Sequence, residues 1–160
     1  MNGTDTGNRS RPRVLLVAST GGHLTQMLAL RDWWERSERE WVSFDHPHAH
    51  TALASEKVTW AHSPTTRNIP NALRNSVLAW KLLRSVRPDV VVSTGAGVAV
   101  PFFYMARVLG IRTVYLEVID RITTRTLTGR LVYPIVDAFA VQWPEQTRLY
   151  PGATVIGATL

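Results

Sequence analysis

Five residues, Ser19-Thr20-Gly21-Gly22-His23, bring together small side chains, free backbone amides and an imidazole, where an apolar run from Val14 to Ala18 gives way to a helical pattern beginning near Leu24. Amides at a helix N-terminus hold phosphate or stabilise developing negative charge. The same position favours the neutral ring that a general base must present. Two readings stand: Ser19, Thr20, Gly21 and Gly22 bind an anion while His23 moves a proton, or the glycines only turn the chain and His23 faces solvent. A dinucleotide fingerprint does not fit. Asp45 follows at about the distance of a ribose-binding acid, but Gly21 and Gly22 are adjacent and no third glycine completes G-x-G-x-x-G. There is also no Gly-Lys-Ser/Thr for a Walker A loop.

Three further loops follow apolar strands. Ser93-Thr94-Gly95-Ala96-Gly97 is a second glycine-rich turn. Gly95 and Gly97 either direct a second helix N-terminus at the same anion, as a diphosphate would suit, or only let that helix pack closely. Glu117 and Asp120, with Arg121 and Arg125, place carboxylates and guanidiniums past another strand. Glu117 is a candidate base and Arg121 a candidate phosphate partner, unless the two form an internal salt bridge. Asp45, His46, His48 and His50 resemble a metal cluster, but Pro47 and the lack of a clear further ligand argue for a polar loop beside the cleft and no metal.

The elements that must position these loops alternate. Strands are expected at Arg13 to Ala18, Trp41 to Asp45, Val58 to His62, Asp89 to Thr94, Arg112 to Leu116 and Ala138 to Gln142, with amphipathic or apolar helices between them. This pattern predicts an α/β fold: a Rossmann-like parallel sheet with helices on both faces and ligands at the carboxyl ends of the strands. The 160 residues suffice for one domain, read as 13–160 after a polar, basic and disordered lead-in over 1–12. Cysteine is absent, which excludes disulfides and thiolate metal sites.

Eighteen Lys and Arg against twelve Asp and Glu give a net charge of +6, which favours anionic partners. No reader motif for nucleic acid is present, and no segment meets the length of a membrane span. The stretch Arg67 to Arg87 offers another anionic contact. Plotted as a helix, Ala72, Leu73, Ala79, Trp80, Leu83 and Val86 form the expected core arc, with Arg67, Arg74, Lys81 and Arg84 mainly to one side. Leu78 and Leu82 lie beyond the cations. Arg74, Leu78, Lys81 and Leu82 are thus the expected contacts with an anionic membrane surface, each cation contributing about 1 kcal/mol.

Taken in order, the loops form a series. Val14 to His23 is followed by Gly95-Ala96-Gly97 with Val100-Pro101, Glu117 to Arg121, Leu127 to Pro134, Val141 to Glu145, and Tyr150 to Ala153 with Gly157. The series resembles the acceptor-side, membrane-anchoring subunit of split UDP-sugar glycosyltransferases, which serve lipid-linked oligosaccharide synthesis and bacterial exopolysaccharide or capsule synthesis. The resemblance implies the N-terminal half of a GT-B transferase, with a separate partner chain holding the UDP-sugar and this chain binding a polyprenyl-diphosphate-linked saccharide. It further implies inverting transfer without a metal or other cofactor, at the cytoplasmic face of the cytoplasmic membrane. His23 matches the histidine of the acceptor loop, Gly95 and Gly97 the second glycine loop, and Glu117 the carboxylate after the fifth strand. Two other roles are left open: a non-catalytic adaptor that recruits the donor-binding chain, and a stand-alone nucleotide-binding protein.

Overall fold

The computed structural model describes residues 11–159, so the expected lead-in lies outside the described residues except for Arg11 and Pro12. Strand β1 (Arg13–Ala18) is the centre of the fold, and its alternation explains the layering. Val14, Leu16 and Ala18 pack on one face of the sheet with Leu24 and Met27 of α1 (Gly22–Ala29) and Trp34 of α2 (Arg31–Trp34). Leu15 and Val17 pack on the other face with Ala79 and Leu83 of α4 (Ile69–Val86) and with Phe102 and Ala106 of α5 (Ala99–Val108). A period of two on a strand buried on both faces is what a parallel sheet sandwiched by helices requires.

The remaining elements are β2 (Glu38–Phe44), α3 (Pro47–Ala52), β3 (Val58–Ala61), β4 (Val90–Gly95), β5 (Arg112–Leu116), α6 (Leu127–Val132), β6 (Ala138–Val141) and β7 (Thr154–Val155). Among the described residues the seven strands are all parallel, in the order β3-β2-β1-β4-β5-β6-β7. The expected Rossmann-like sheet is therefore present, with strand order reversing between β1 and β4. At such a switch point the following loops diverge to opposite faces and leave a crevice at the carboxyl ends of the strands.

Strand β1 and strand β5 have the expected limits, whereas β2 begins at Glu38 rather than Trp41. The charged residues Arg39 and Glu40 of β2 pair with residues just before β3. Arg39 pairs with Glu56 at 2.7 Å and Glu40 with Lys57 at 2.5 Å. Buried Trp34 and Trp41 meet edge to face with centroids 5.3 Å apart, and the Arg39 guanidinium lies 4.7 Å from the Trp34 ring.

Candidate functional site

The crevice at the switch point is a cleft of ≈ 570 Å³. Ser19, Thr20 and His23 line it from the first glycine loop, and Ala96 and Gly97 from the second. Asp45 and His46 follow β2, Thr65 and Arg67 precede α4, and Leu127 and Thr128 open α6. The two loops singled out from sequence thus meet, together with the acidic and histidine-bearing loop beside them.

His23 is fixed by a two-way clamp. Its Nδ1 lies 2.8 Å from the Thr94 carbonyl oxygen, and the Thr94 hydroxyl donates to the His23 carbonyl at 2.6 Å. A carbonyl can only accept, so Nδ1 carries the proton and Nε2 is the free acceptor of the neutral ring. Nε2 has no hydrogen-bond partner among the described residues. Gly95 seats this ring: a Cβ there would stand 2.8 Å from His23 Cε1 and 2.9 Å from Nδ1, at a φ of +118°. The second glycine loop therefore has a role that its composition did not reveal, which is to let the imidazole approach the backbone of β4.

The other glycines divide by position. Gly21 is the N-cap of α1 at φ 73°, and its carbonyl accepts from the Thr25 amide and hydroxyl. Gly21 and Gly22 turn the chain beside the cleft and are not among its lining residues. Gly97 lines the cleft, with Thr65 Oγ1 2.9 Å from where a Cβ would stand.

Glu117 departs from the expectation of a carboxylate open to an acceptor. It is fully buried and outside the cleft lining. Its oxygens accept from the Val118 amide at 3.0 Å, from the Thr126 hydroxyl at 3.0 and 3.1 Å, from the Tyr115 hydroxyl at 3.5 Å, and from the Tyr150 hydroxyl. Gly129 leaves the room for this arrangement, since a Cβ there would collide with Glu117 Oε2, the Tyr150 hydroxyl and Thr126 Oγ1. Burial, followed by the neighbouring Glu117 carboxylate, holds the Tyr115 phenol well above its ordinary 10.0. Tyr150 is raised by burial first and then by its hydrogen bond to Glu117. The carboxylate is a hub joining β5, α6 and the segment before β7.

Arg121 is exposed and does not line the cleft, and the alternative Glu117–Arg121 ion pair is not formed. Its backbone carbonyl instead accepts from Gln146, whose amide also donates to Val118, while Trp143 Nε1 donates to the Ile119 carbonyl. These bonds give the loop after β5 its shape. Among the described residues, the Lys or Arg that lines the cleft is Arg67, which stands in the loop before α4 and not on the basic side of the helix as expected. The signal for it was Asn68 and Pro70: an N-cap followed by proline starts the helix after Arg67 and leaves Arg67 in the loop. The histidines near the cleft are also engaged, with His46 Nδ1 capping α3 and His50 Nε2 lying 2.7 Å from Asp45.

Helix α4 is rotated relative to the expected arc. Its buried row is Asn71, Asn75, Ala79 and Leu83. Asn71 donates to the Pro64 carbonyl, while Asn75 accepts from the His62 amide and donates to the His62 carbonyl, at 2.8 to 2.9 Å. Two asparagines that satisfy a loop backbone thus choose the inward face, a choice invisible to hydrophobicity. Leu78 and Leu82 are half-buried against the core and are not the exposed leucines expected. The outer stripe is Ile69, Leu73, Val77 and Trp80, exposed by 74, 64, 56 and 37%. Arg74, Lys81 and Arg84 are exposed beside it. Among the described residues, no helix is long and apolar enough to cross a membrane.

The family model for Alg14-like oligosaccharide biosynthesis proteins matches residues 14–159. The chain belongs to this family. Similar relatives are named UDP-N-acetylglucosamine transferase subunit ALG14. The human protein is 28% identical over 96% of this chain and 85% of its own length, and that of Eremothecium gossypii is 28% identical over 98% and 84%. Among solved structures, Acinetobacter baumannii MurG matches with a TM-score of 0.74 at 18% identity, covering 91% of this chain and 44% of MurG. Staphylococcus aureus MnaA, solved with UDP, matches with a TM-score of 0.75 at 15% identity, over 92% and 45%. The fold is that of the N-terminal Rossmann-like half of GT-B proteins, and the chain spans less than half the length of these solved neighbours.

Proposed function

We propose that this chain is the acceptor-binding subunit of a two-component inverting glycosyltransferase, acting in lipid-linked oligosaccharide or exopolysaccharide synthesis. A separate chain holds the UDP-sugar, and the acceptor is a saccharide linked to polyprenyl diphosphate. The observation that carries this reading is the cleft built around His23. Its Nδ1 is committed to Thr94, so Nε2 is the atom that takes the proton from the acceptor hydroxyl as that oxygen attacks the anomeric carbon of the sugar, whose bond to UDP breaks and releases UDP. Arg67 and the small residues Ser19, Thr20 and Gly97 form the surround for the acceptor's diphosphate. Glu117 acts at a distance from the reaction: it holds Thr126, which caps α6 through the Gly129 amide and so sets Leu127 and Thr128 at the cleft.

The relatives' designation as subunits supports a donor half on a separate chain. The relatives' name also makes UDP-N-acetylglucosamine the first donor to try. We assign the membrane contact to the outer stripe of α4 rather than to Leu78 and Leu82, since apolar side chains flanked by Arg74, Lys81 and Arg84 match an anionic bilayer. The protein then works as a peripheral subunit at the cytoplasmic face of the membrane.

Reconstitution tests the reading. This chain and a candidate donor-binding chain are mixed with UDP-N-acetylglucosamine and a polyprenyl-diphosphate saccharide, and product is followed by mass spectrometry. Transfer is expected only from the pair. Transfer by this chain alone overturns the split-enzyme reading. In a parallel sedimentation assay, Leu73→Glu with Val77→Glu is expected to release the protein from anionic liposomes; unchanged binding moves the contact elsewhere.

A further inference from the structure

An apolar groove of ≈ 260 Å³ runs between α4, α5 and α6 and opens into the His23 cleft, with Thr65, Gly97, Leu127 and Thr128 lining both. Its own walls are Ala72 and Ser76 of α4, Val100, Pro101 and Tyr104 of α5, and Leu131 of α6. The Thr65 and Thr128 hydroxyls lie at the boundary shared with the cleft, and on the groove's own walls the hydroxyl protons are already donated: Ser76 to the Ala72 carbonyl at 2.8 Å, and Tyr104 to the Leu131 carbonyl at 3.1 Å. What these residues offer a ligand is therefore hydrocarbon and ring surface. Tyr104 and Leu131 are each 40% exposed and Leu127 is 65% exposed, so the groove is lined by apolar surface that remains in contact with water.

We infer that this groove binds the first isoprene units of the acceptor's lipid. The inference rests on the acceptor reading above and adds a site to it. One molecule with an anionic head and an apolar tail matches the two connected spaces: the cleft supplies Arg67 and the small polar residues Ser19 and Thr20, and the groove supplies apolar walls starting at Gly97 and Leu127. The α4 wall of the groove adjoins the outer stripe, since Leu73 and Val77 follow Ala72 and Ser76 by one residue each. A chain leaving the groove across α4 thus meets the helix face assigned to the bilayer. Leu127 and Thr128 sit where head and tail join, which gives the Thr126 cap and the Glu117 hub behind it a further consequence: they set the position of that junction.

The test is isothermal titration of the full chain with inorganic diphosphate and with geranylgeranyl diphosphate below its micellar concentration. Geranylgeranyl diphosphate is expected to bind at least tenfold tighter. Leu131→Glu, at an exposed position that the fold tolerates, and Val100→Trp, which fills the groove, are each expected to abolish that increment and to leave the affinity for inorganic diphosphate within twofold. Leu73→Glu, outside the groove, is expected to keep the increment. Equal binding of the two probes to the wild type overturns the groove and leaves the acceptor cleft standing, as does an increment that survives both groove variants or disappears in Leu73→Glu. Binding of neither probe overturns the cleft reading together with the groove.

Discussion

His23 and Glu117 follow neighbouring regions of one sheet, and both residue types can accept a proton, yet their surroundings separate them completely. His23 is half-buried at the cleft with one ring nitrogen clamped by Thr94 and the other without a partner among the described residues. Glu117 is fully buried and takes hydrogen bonds from three hydroxyls and an amide. A polar group is available for chemistry when its hydrogen-bonding capacity is left partly unfilled at a solvent-facing edge. A group whose capacity is filled inside the protein contributes to the architecture. Under the proposed function, proton transfer therefore falls to His23 and positioning to Glu117.

The strongest way to break this contrast is His23→Ala in the reconstituted pair. Turnover is expected to fall by about 10²–10⁴-fold, while the melting temperature moves little because about one net hydrogen bond is lost. Turnover within tenfold of the wild type would instead favour an adaptor with no part in proton transfer. Glu117→Ala should give the opposite signature. It leaves the buried Tyr115 and Tyr150 hydroxyls unpaired, at about 1–3 kcal/mol each, so calorimetry should record a clear drop in melting temperature. Turnover per folded molecule should stay within tenfold, and a loss as large as that of His23→Ala would return Glu117 to the reaction.

The smallest effect concerns alkaline stability. Both tyrosines at Glu117 have folded pKa values raised above the ordinary 10.0, so the folded state holds their protons more tightly than the unfolded chain does. Their contribution is complete below about pH 10 and is lost as pH rises from there towards the folded values, by up to about 1.4 kcal/mol per pH unit for each group. Tyr150→Phe should make the decline of urea-unfolding free energy above pH 10 shallower. An unchanged slope would mean that Tyr150 does not contribute to it.

The sequence was most legible where local pattern and tertiary environment agree. Strands β1 and β5 are short apolar runs bounded by turn residues, and their limits were readable to the residue. Strand β2 was partly hidden because Glu38, Arg39 and Glu40 look like a loop until partners on adjacent strands and turns are known. Helices α2, α3 and α6 and strand β7 span six residues or fewer, too short for periodicity to register. The first glycine loop was legible as a strand-to-helix turn at the carboxyl edge of the sheet, where Ser19, Thr20 and His23 line the cleft. The roles of Gly95, Glu117 and Arg67 depend on residues far away in the chain, and the outward face of α4 was decided by Asn71 and Asn75, whose burial follows from backbone groups they satisfy.

Gln142 carries a consequence for the order in which the molecule is completed. Its side chain donates to Gln26 on α1 and to the Glu117 carbonyl, and accepts from the amide and hydroxyl of Thr159. One amide therefore ties together segments separated by 116 residues on one side and 17 on the other. Such contacts gain their energy only after the intervening chain has been closed into loops. Helix α1, synthesised among the first elements, acquires this restraint only when the segment around Gln142 has docked, so the cleft beside His23 depends on contacts that close most of the domain.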